Sequence, residues 1–167
     1  MIKSLQSAIE MHLAQALPGV RVAFYPDMES ETLPLPMLAL ELSEFEPGRD
    51  MGADQLALVA TIQARLVLDP SLAGAEFDAP QMAARVALEV YRAKNFGQPL
   101  TPARLRQVGP DGFKPGLEGY LVWLIEWAHE IDVGKPGDLT LPATLPPKSV
   151  GWVVEDGGAV EHVETTP

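Results

Sequence analysis

The chain has 167 residues, is 47% hydrophobic and contains no cysteine; 12 Lys+Arg against 23 Asp+Glu give it a formal charge of −11. That size and hydrophobic content suit one folded domain with an ordinary core, and the missing cysteines exclude disulfides and thiolate metal sites. The acidic balance argues against a protein that grips DNA from outside through phosphate contacts, no apolar run reaches the roughly 18 residues of a membrane span, and the N-terminus lacks the continuous apolar core of a signal peptide. The expected compartment is the cytoplasm.

Residues 2–17 read as an amphipathic helix, because Ile2, Leu5, Ile9, Leu13 and Ala16 recur at three- and four-residue spacing before Pro18-Gly19. Val20 to Tyr25 is a short β-prone run, followed by a Pro- and acid-rich connection, PDMESETLPLP. Met37 to Phe45 is the first long strand, with Leu38, Leu40 and Leu42 on one face and Met37, Ala39 and Glu41 on the other. The loop EPGRDMGAD leads to a second, Gln55 to Leu68, whose fourteen residues would span about 46 Å. So short a loop makes an antiparallel hairpin the economical pairing, with a charged, projecting tip.

A second helix is signalled by Asp78 as N-cap with Gln81 three residues on, by Phe77 and Met82 placed for a hydrophobic staple, and by Pro80 in the first turn. Met82, Ala83, Val86, Ala87 and Val90 form its inward stripe, and Gly97 is the expected stop. Ala103 to Val108 reads as a further short strand, GPDG (109–112) as a turn, and Gly119 to Asp132 as the last core strand, with Trp123, Ile125 and Trp127 on its inner face. The expected fold is α+β: an antiparallel or mixed sheet flanked by two helices, in the order α-β-β-β-α-β. Residues 1–133 form this domain. Residues 134–167, rich in Pro, Gly and Thr, form an extended C-terminal arm with two β-prone runs, Trp152–Val154 and Ala159–Val163, around EDGG.

Catalytic signals are lacking. His129-Glu130 is no HExxH, since Val133 stands where the second histidine belongs, and a histidine with a polar partner is the better reading. GKPGDLT lacks P-loop spacing and no GxSxG elbow occurs. The expectation is therefore a non-enzyme with no cofactor and no metal. Arg65 and Gln63 share the mixed face of the long strand, where Glu126 is placed to pair across the sheet. Trp152, flanked by Val153 and Val154 in a segment that builds no core, reads as an interface anchor.

The succession of an N-terminal helix, LPMLALEL, the tip SEFEPGRDMGADQ, IQARLVLDP, the helix FDAPQMAARV and the final strand YLVWLIEWAHEID resembles the tail terminator proteins of long-tailed bacteriophages. The resemblance covers about residues 2–133 and lies in element order and character. It implies a structural virion protein, assembled in the host cytoplasm. Such a protein forms a homo-hexameric ring at the head-proximal end of the tail, capping the tail tube and offering a surface to the head–tail connector or stopper. DNA would be transiting cargo, and no membrane is involved. The candidate protein-interface residues are Glu44, Phe45, Glu46, Arg49, Asp50 and Met51 at the hairpin tip, and Trp152, Val153 and Val154 in the arm. The alternatives are another neck or tail-completion protein, or a small enzyme or ligand-binding α+β domain.

Overall fold

The computed structural model describes residues 1–27, 33–49, 52, 54–112, 116–135 and 138–139. Their order is α1 (Ile2–Ala16), β1 (Arg21–Phe24), β2 (Met37–Pro47), β3 (Leu56–Leu68), α2 (Ala75–Ala93), β4 (Arg104–Pro110) and β5 (Leu121–Val133). The five strands form one sheet in the order β1-β2-β3-β5-β4, with β1 parallel to β2 and the other neighbours antiparallel. The fold is thus α+β with the expected succession of elements, and the short run after α2 is a full edge strand.

Both helices pack on one face of the sheet. Leu5, Ile9 and Leu13 of α1 and Ala79, Ala83, Val86 and Val90 of α2 meet Leu38, Leu40, Ile62, Ala64, Leu66, Ile125 and Trp127 in one continuous core. The periodicities of 3.6 and 2 bring these side chains to a common layer, which is why the helical stripes and the strand alternation were readable. Among the described residues, the opposite face carries no helix. Its half nearest Met37 is covered by a small apolar cluster of Met37, Ala39, Val67, Leu117 and Val122, with Leu33, Leu35 and Tyr120 against it.

Several boundaries differ from expectation for physical reasons. Helix α2 begins a turn earlier than Asp78, with Gly74 as its N-cap at φ +88°. Ala75 and Ala79 are buried and anchor that extra turn, so tertiary packing prevails over the local capping signal. Pro80 then lies in the second turn, and Phe77 is 78% exposed instead of closing a staple. The helix stops at Ala93, ahead of Gly97, because Lys94 already turns to φ +58°. Strand β2 runs to Pro47, which places Glu46 on the strand and not in the loop. The hairpin tip does not project as a bare two-stranded ribbon either, since β5 flanks β3 over its entire length, from Leu56↔Val133 to Leu68↔Leu121.

Candidate interface on the helix-free sheet face

The β2–β3 ladder shifts register between Leu42 and Glu44, making Ser43 the extra residue of a β-bulge. Its hydroxyl donates to the Thr61 carbonyl at 3.3 Å. One extra residue reverses which side chains face which way. Before the bulge the even-numbered leucines face the helices; after it Glu44 and Glu46 lie opposite Thr61 and Val59 on the helix-free face, and Phe45 lies opposite Ala60 on the helix side. Without it, two carboxylates would continue the apolar row of Leu38, Leu40 and Leu42.

A second bulge, between Leu105 and Gln107, makes Arg106 the extra residue of β4. Its guanidinium spans the sheet, donating to Thr61 Oγ1 at 2.9 Å and to Glu46 Oε2 at 3.0 Å, with Glu44 and Glu126 each at 4.0 Å. Thr61 is fully buried beneath it. One strand turn away, Arg65 uses all three guanidinium nitrogens: Nε to Asp111 Oδ2 at 2.9 Å, Nη1 to Glu41 Oε2 at 2.8 Å and Nη2 to Gln63 Oε1 at 2.9 Å. Gln63 Nε2 donates onward to Glu126 Oε2 at 2.8 Å, and Arg104 pairs with Glu130 at 2.8 Å. The contacts of Arg106, Arg65 and Gln63 bind β2, β3, β5, β4 and the turn after β4 into one polar lattice, with the Arg104–Glu130 pair beside it on the same face. Six carboxylates (Glu41, Glu44, Glu46, Asp111, Glu126, Glu130) face three arginines (Arg65, Arg104, Arg106), so the lattice is net acidic.

Of the candidate interface residues, Glu44, Phe45 and Glu46 lie at this end of the sheet and are exposed, and Arg49 is exposed just beyond β2. Glu44 and Glu46 share the lattice face; Phe45 is on the other side. Asp50, Met51, Trp152, Val153 and Val154 lie outside the described residues. The expected Gln63–Glu126 pairing is present, whereas Arg65 turns to Glu41 and Asp111. Arg106 was not foreseen; the alternation of Arg104 and Arg106 in RLRQ, facing strands with outward glutamates, was its available signal.

The helix side of the sheet holds a different polar group. His129 is fully buried. Its Nδ1 lies 2.8 Å from the Thr101 carbonyl and its Nε2 3.2 Å from Trp127 Nε1. A carbonyl only accepts and an indole N–H only donates, so the proton resides on Nδ1 and the ring is neutral. Burial pushes its pKa below the usual histidine value, against the opposing effect of the Thr101 carbonyl. Glu126 and Glu130 point to the opposite face, so they do not join His129. Among the described residues no three His, Asp or Glu side chains gather as a metal cage, and no helix is long and apolar enough to cross a membrane. A cavity of about 250 Å³ lies between the start of β2 and the first turns of α2, lined by Leu35, Pro36, Leu68, Leu72 and Met82 together with Asp69 and Asp78.

Compared with known proteins, the chain matches no family model and no curated sequence.

Proposed function

We propose that this chain is a tail terminator of a long-tailed bacteriophage, a structural protein that forms a ring, caps the tail tube and meets the head–tail connector or stopper. The observation that carries this reading is the acidic, helix-free half-face at the hairpin end, set within an element order that resembles the family. A surface bordering a DNA passage must not retain the duplex, and a lattice with six carboxylates to three guanidiniums repels phosphate. The cross-strand contacts also hold the side chains in place before any partner arrives, which lowers the ordering cost of assembly. Arg49, Asp50 and Met51 in the adjoining loop are the proposed neighbour contacts.

The test is the solution mass of the full chain with negative-stain images, alone and after mixing with purified tail tubes. Rings of about six subunits on the family's pattern, or a cap on tube ends, support the reading. A monomer that leaves the tubes uncapped refutes it. Another neck or tail-completion role would appear as binding to connector but not to tubes. The cavity beside Asp69 and Asp78 favours the ligand-binding alternative, which predicts a thermal shift with small amphipathic cations and a stable monomer.

A further inference from the structure

The cavity between the start of β2 and the first turns of α2 combines two kinds of group. Leu35, Leu68, Leu72 and Met82 supply apolar walls, and its polar side chains are the carboxylates of Asp69 and Asp78. Leu68 is buried at the base, whereas Leu72 and Asp78 are exposed at the rim. The turn from β3 into α2 fixes one wall in advance. Leu72 N–H donates to the Asp69 carbonyl at 3.4 Å and Ala75 N–H to the Leu72 carbonyl at 3.1 Å. Ser71 N–H donates to Asp69 Oδ1 at 2.8 Å, and hydrogen bonding from Ser71 holds the Asp69 pKa below the usual carboxylate value.

The charge around the cavity is negative on every side that lines it. Residues 66–84 contain Asp69, Glu76 and Asp78 but no Lys or Arg, and residues 22–48, which run through the other wall, contain no Lys or Arg either. Among the described residues, the arginines nearest in sequence are engaged elsewhere: Arg65 with Glu41 and Asp111, and Arg85 with Glu89. The N-terminus of α2 adds a partial positive charge of about half an elementary unit, which Glu76 and Asp78 in its first turn offset.

An anion is repelled here, and a neutral apolar molecule fills the walls but leaves the rim unused. An alkyl chain with an ammonium head uses both, since its three N–H donors suit carboxylates. At about 250 Å³ the cavity falls below the roughly 300–1,000 Å³ of drug-sized pockets, so the chain must be short.

We propose that this cavity binds a short primary alkylammonium ion, its chain against Leu35, Leu68, Leu72 and Met82 and its head at Asp69 and Asp78. Binding here does not require a ring, and a readout at Met82 does not report assembly, so either reading can fail alone. The full chain, labelled at its methionine methyl groups, is titrated with n-hexylammonium chloride while the Met82 signal, assigned from Met82→Leu, is followed by NMR. The signal shifts saturably, and shortening the ligand to n-pentyl- and n-butylammonium weakens binding about fourfold per methylene. 1-Hexanol and hexanoate bind at least about fivefold more weakly, the scale of an exposed ion pair. Asp78→Asn lowers the n-hexylammonium affinity at least about threefold and leaves 1-hexanol unchanged, whereas Glu76→Gln, the same charge change off the cavity lining, does neither. Equal binding of 1-hexanol, an unchanged affinity in Asp78→Asn, or no saturable shift at Met82 overturns the proposal. Nα-acetyl-lysine N-methylamide carries the same head on a four-carbon stem and binds about tenfold or more below n-hexylammonium, the loss that two methylenes imply. Equal binding by that compound also overturns the proposal, because the cavity then takes a lysine side chain of a protein partner.

Discussion

Arg65→Met tests whether the polar lattice supports the fold as well as a surface. The methionine keeps most of the side-chain volume and removes three charge-assisted hydrogen bonds. The two carboxylate partners differ greatly in environment. The Glu41 side chain is 45% exposed, so its pair with Arg65 contributes only about 0.2–1 kcal/mol. Asp111 is 5% exposed, and removing the cation beside a fully buried carboxylate costs about 3–5 kcal/mol. Arg65 is itself 20% exposed, which lets water soften that loss, and an expected destabilisation of about 2–3 kcal/mol follows. Asp111→Leu, made alone, strands Arg65 less severely because Glu41 remains. The double variant Arg65→Met/Asp111→Leu replaces both ends of the pair by apolar groups and recovers much of the stability, with a coupling of at least about 1 kcal/mol. Urea unfolding with a common slope measures all three. A loss below about 0.5 kcal/mol for Arg65→Met, or strict additivity in the cycle, would falsify the claim that this pair is buried enough to matter.

Other expectations use different parts of the molecule. His129 has a depressed folded pKa, so the unfolded chain binds its proton first; stability is complete above the ordinary value of 6.5 and declines as pH falls below it, by at most about 1.4 kcal/mol per pH unit. The slope should be largely absent from His129→Gln in melting curves between pH 7 and 5, and an unchanged slope would assign the acid sensitivity to other groups. Gly48 comes so close to β3 that a Cβ would lie 3.0 Å from the Ala57 carbonyl carbon, so Gly48→Ala is expected to cost about 1–2 kcal/mol in urea titrations. Deleting Ser43 removes the bulge while leaving Glu44 opposite Thr61, so the chain should still fold with native circular dichroism; deleting Ala39 instead reverses every later side chain of β2 and should unfold it. Replacing Arg49 and Asp50 together by alanine should leave the melting temperature within about 2 °C of the parent, as Arg49 is exposed and lies beyond the end of β2. Ring formation and tube capping should be lost, and normal capping by this variant would count against the proposed function.

The long elements were legible because their periodicity is local. Leu5, Ile9 and Leu13 declare a helix face, and the alternation from Leu56 to Leu68 declares a strand with one side in the core. Sheet order was not legible: the parallel docking of β1 on β2 joins Val22 to Leu38 across a connection without regular signals. The candidate surface was partly legible. Strict alternation puts Glu41 on the right face but misassigns Glu44 and Glu46, since nothing in LSEF distinguishes a bulge at Ser43 from a regular strand. Asp111 looked like a turn residue in GPDG, and its bond to Arg65 appears only when β4 is laid beside β5. The early start of α2 was hidden for the same reason, as the burial of Ala75 depends on the sheet beneath it.

The place of β5 determines how the protein would carry a load. The arm continues from the C-terminal end of this strand, which β3 and β4 pair on either side. A pull on Val133 along the strand axis acts at right angles to the antiparallel hydrogen bonds, which run across it. Thirteen paired positions with β3 therefore resist together in shear instead of opening one after another like a zipper. Traction on the outermost strand, β4, across its length would peel it instead. The domain is mechanically anisotropic, and its strong direction runs along β5.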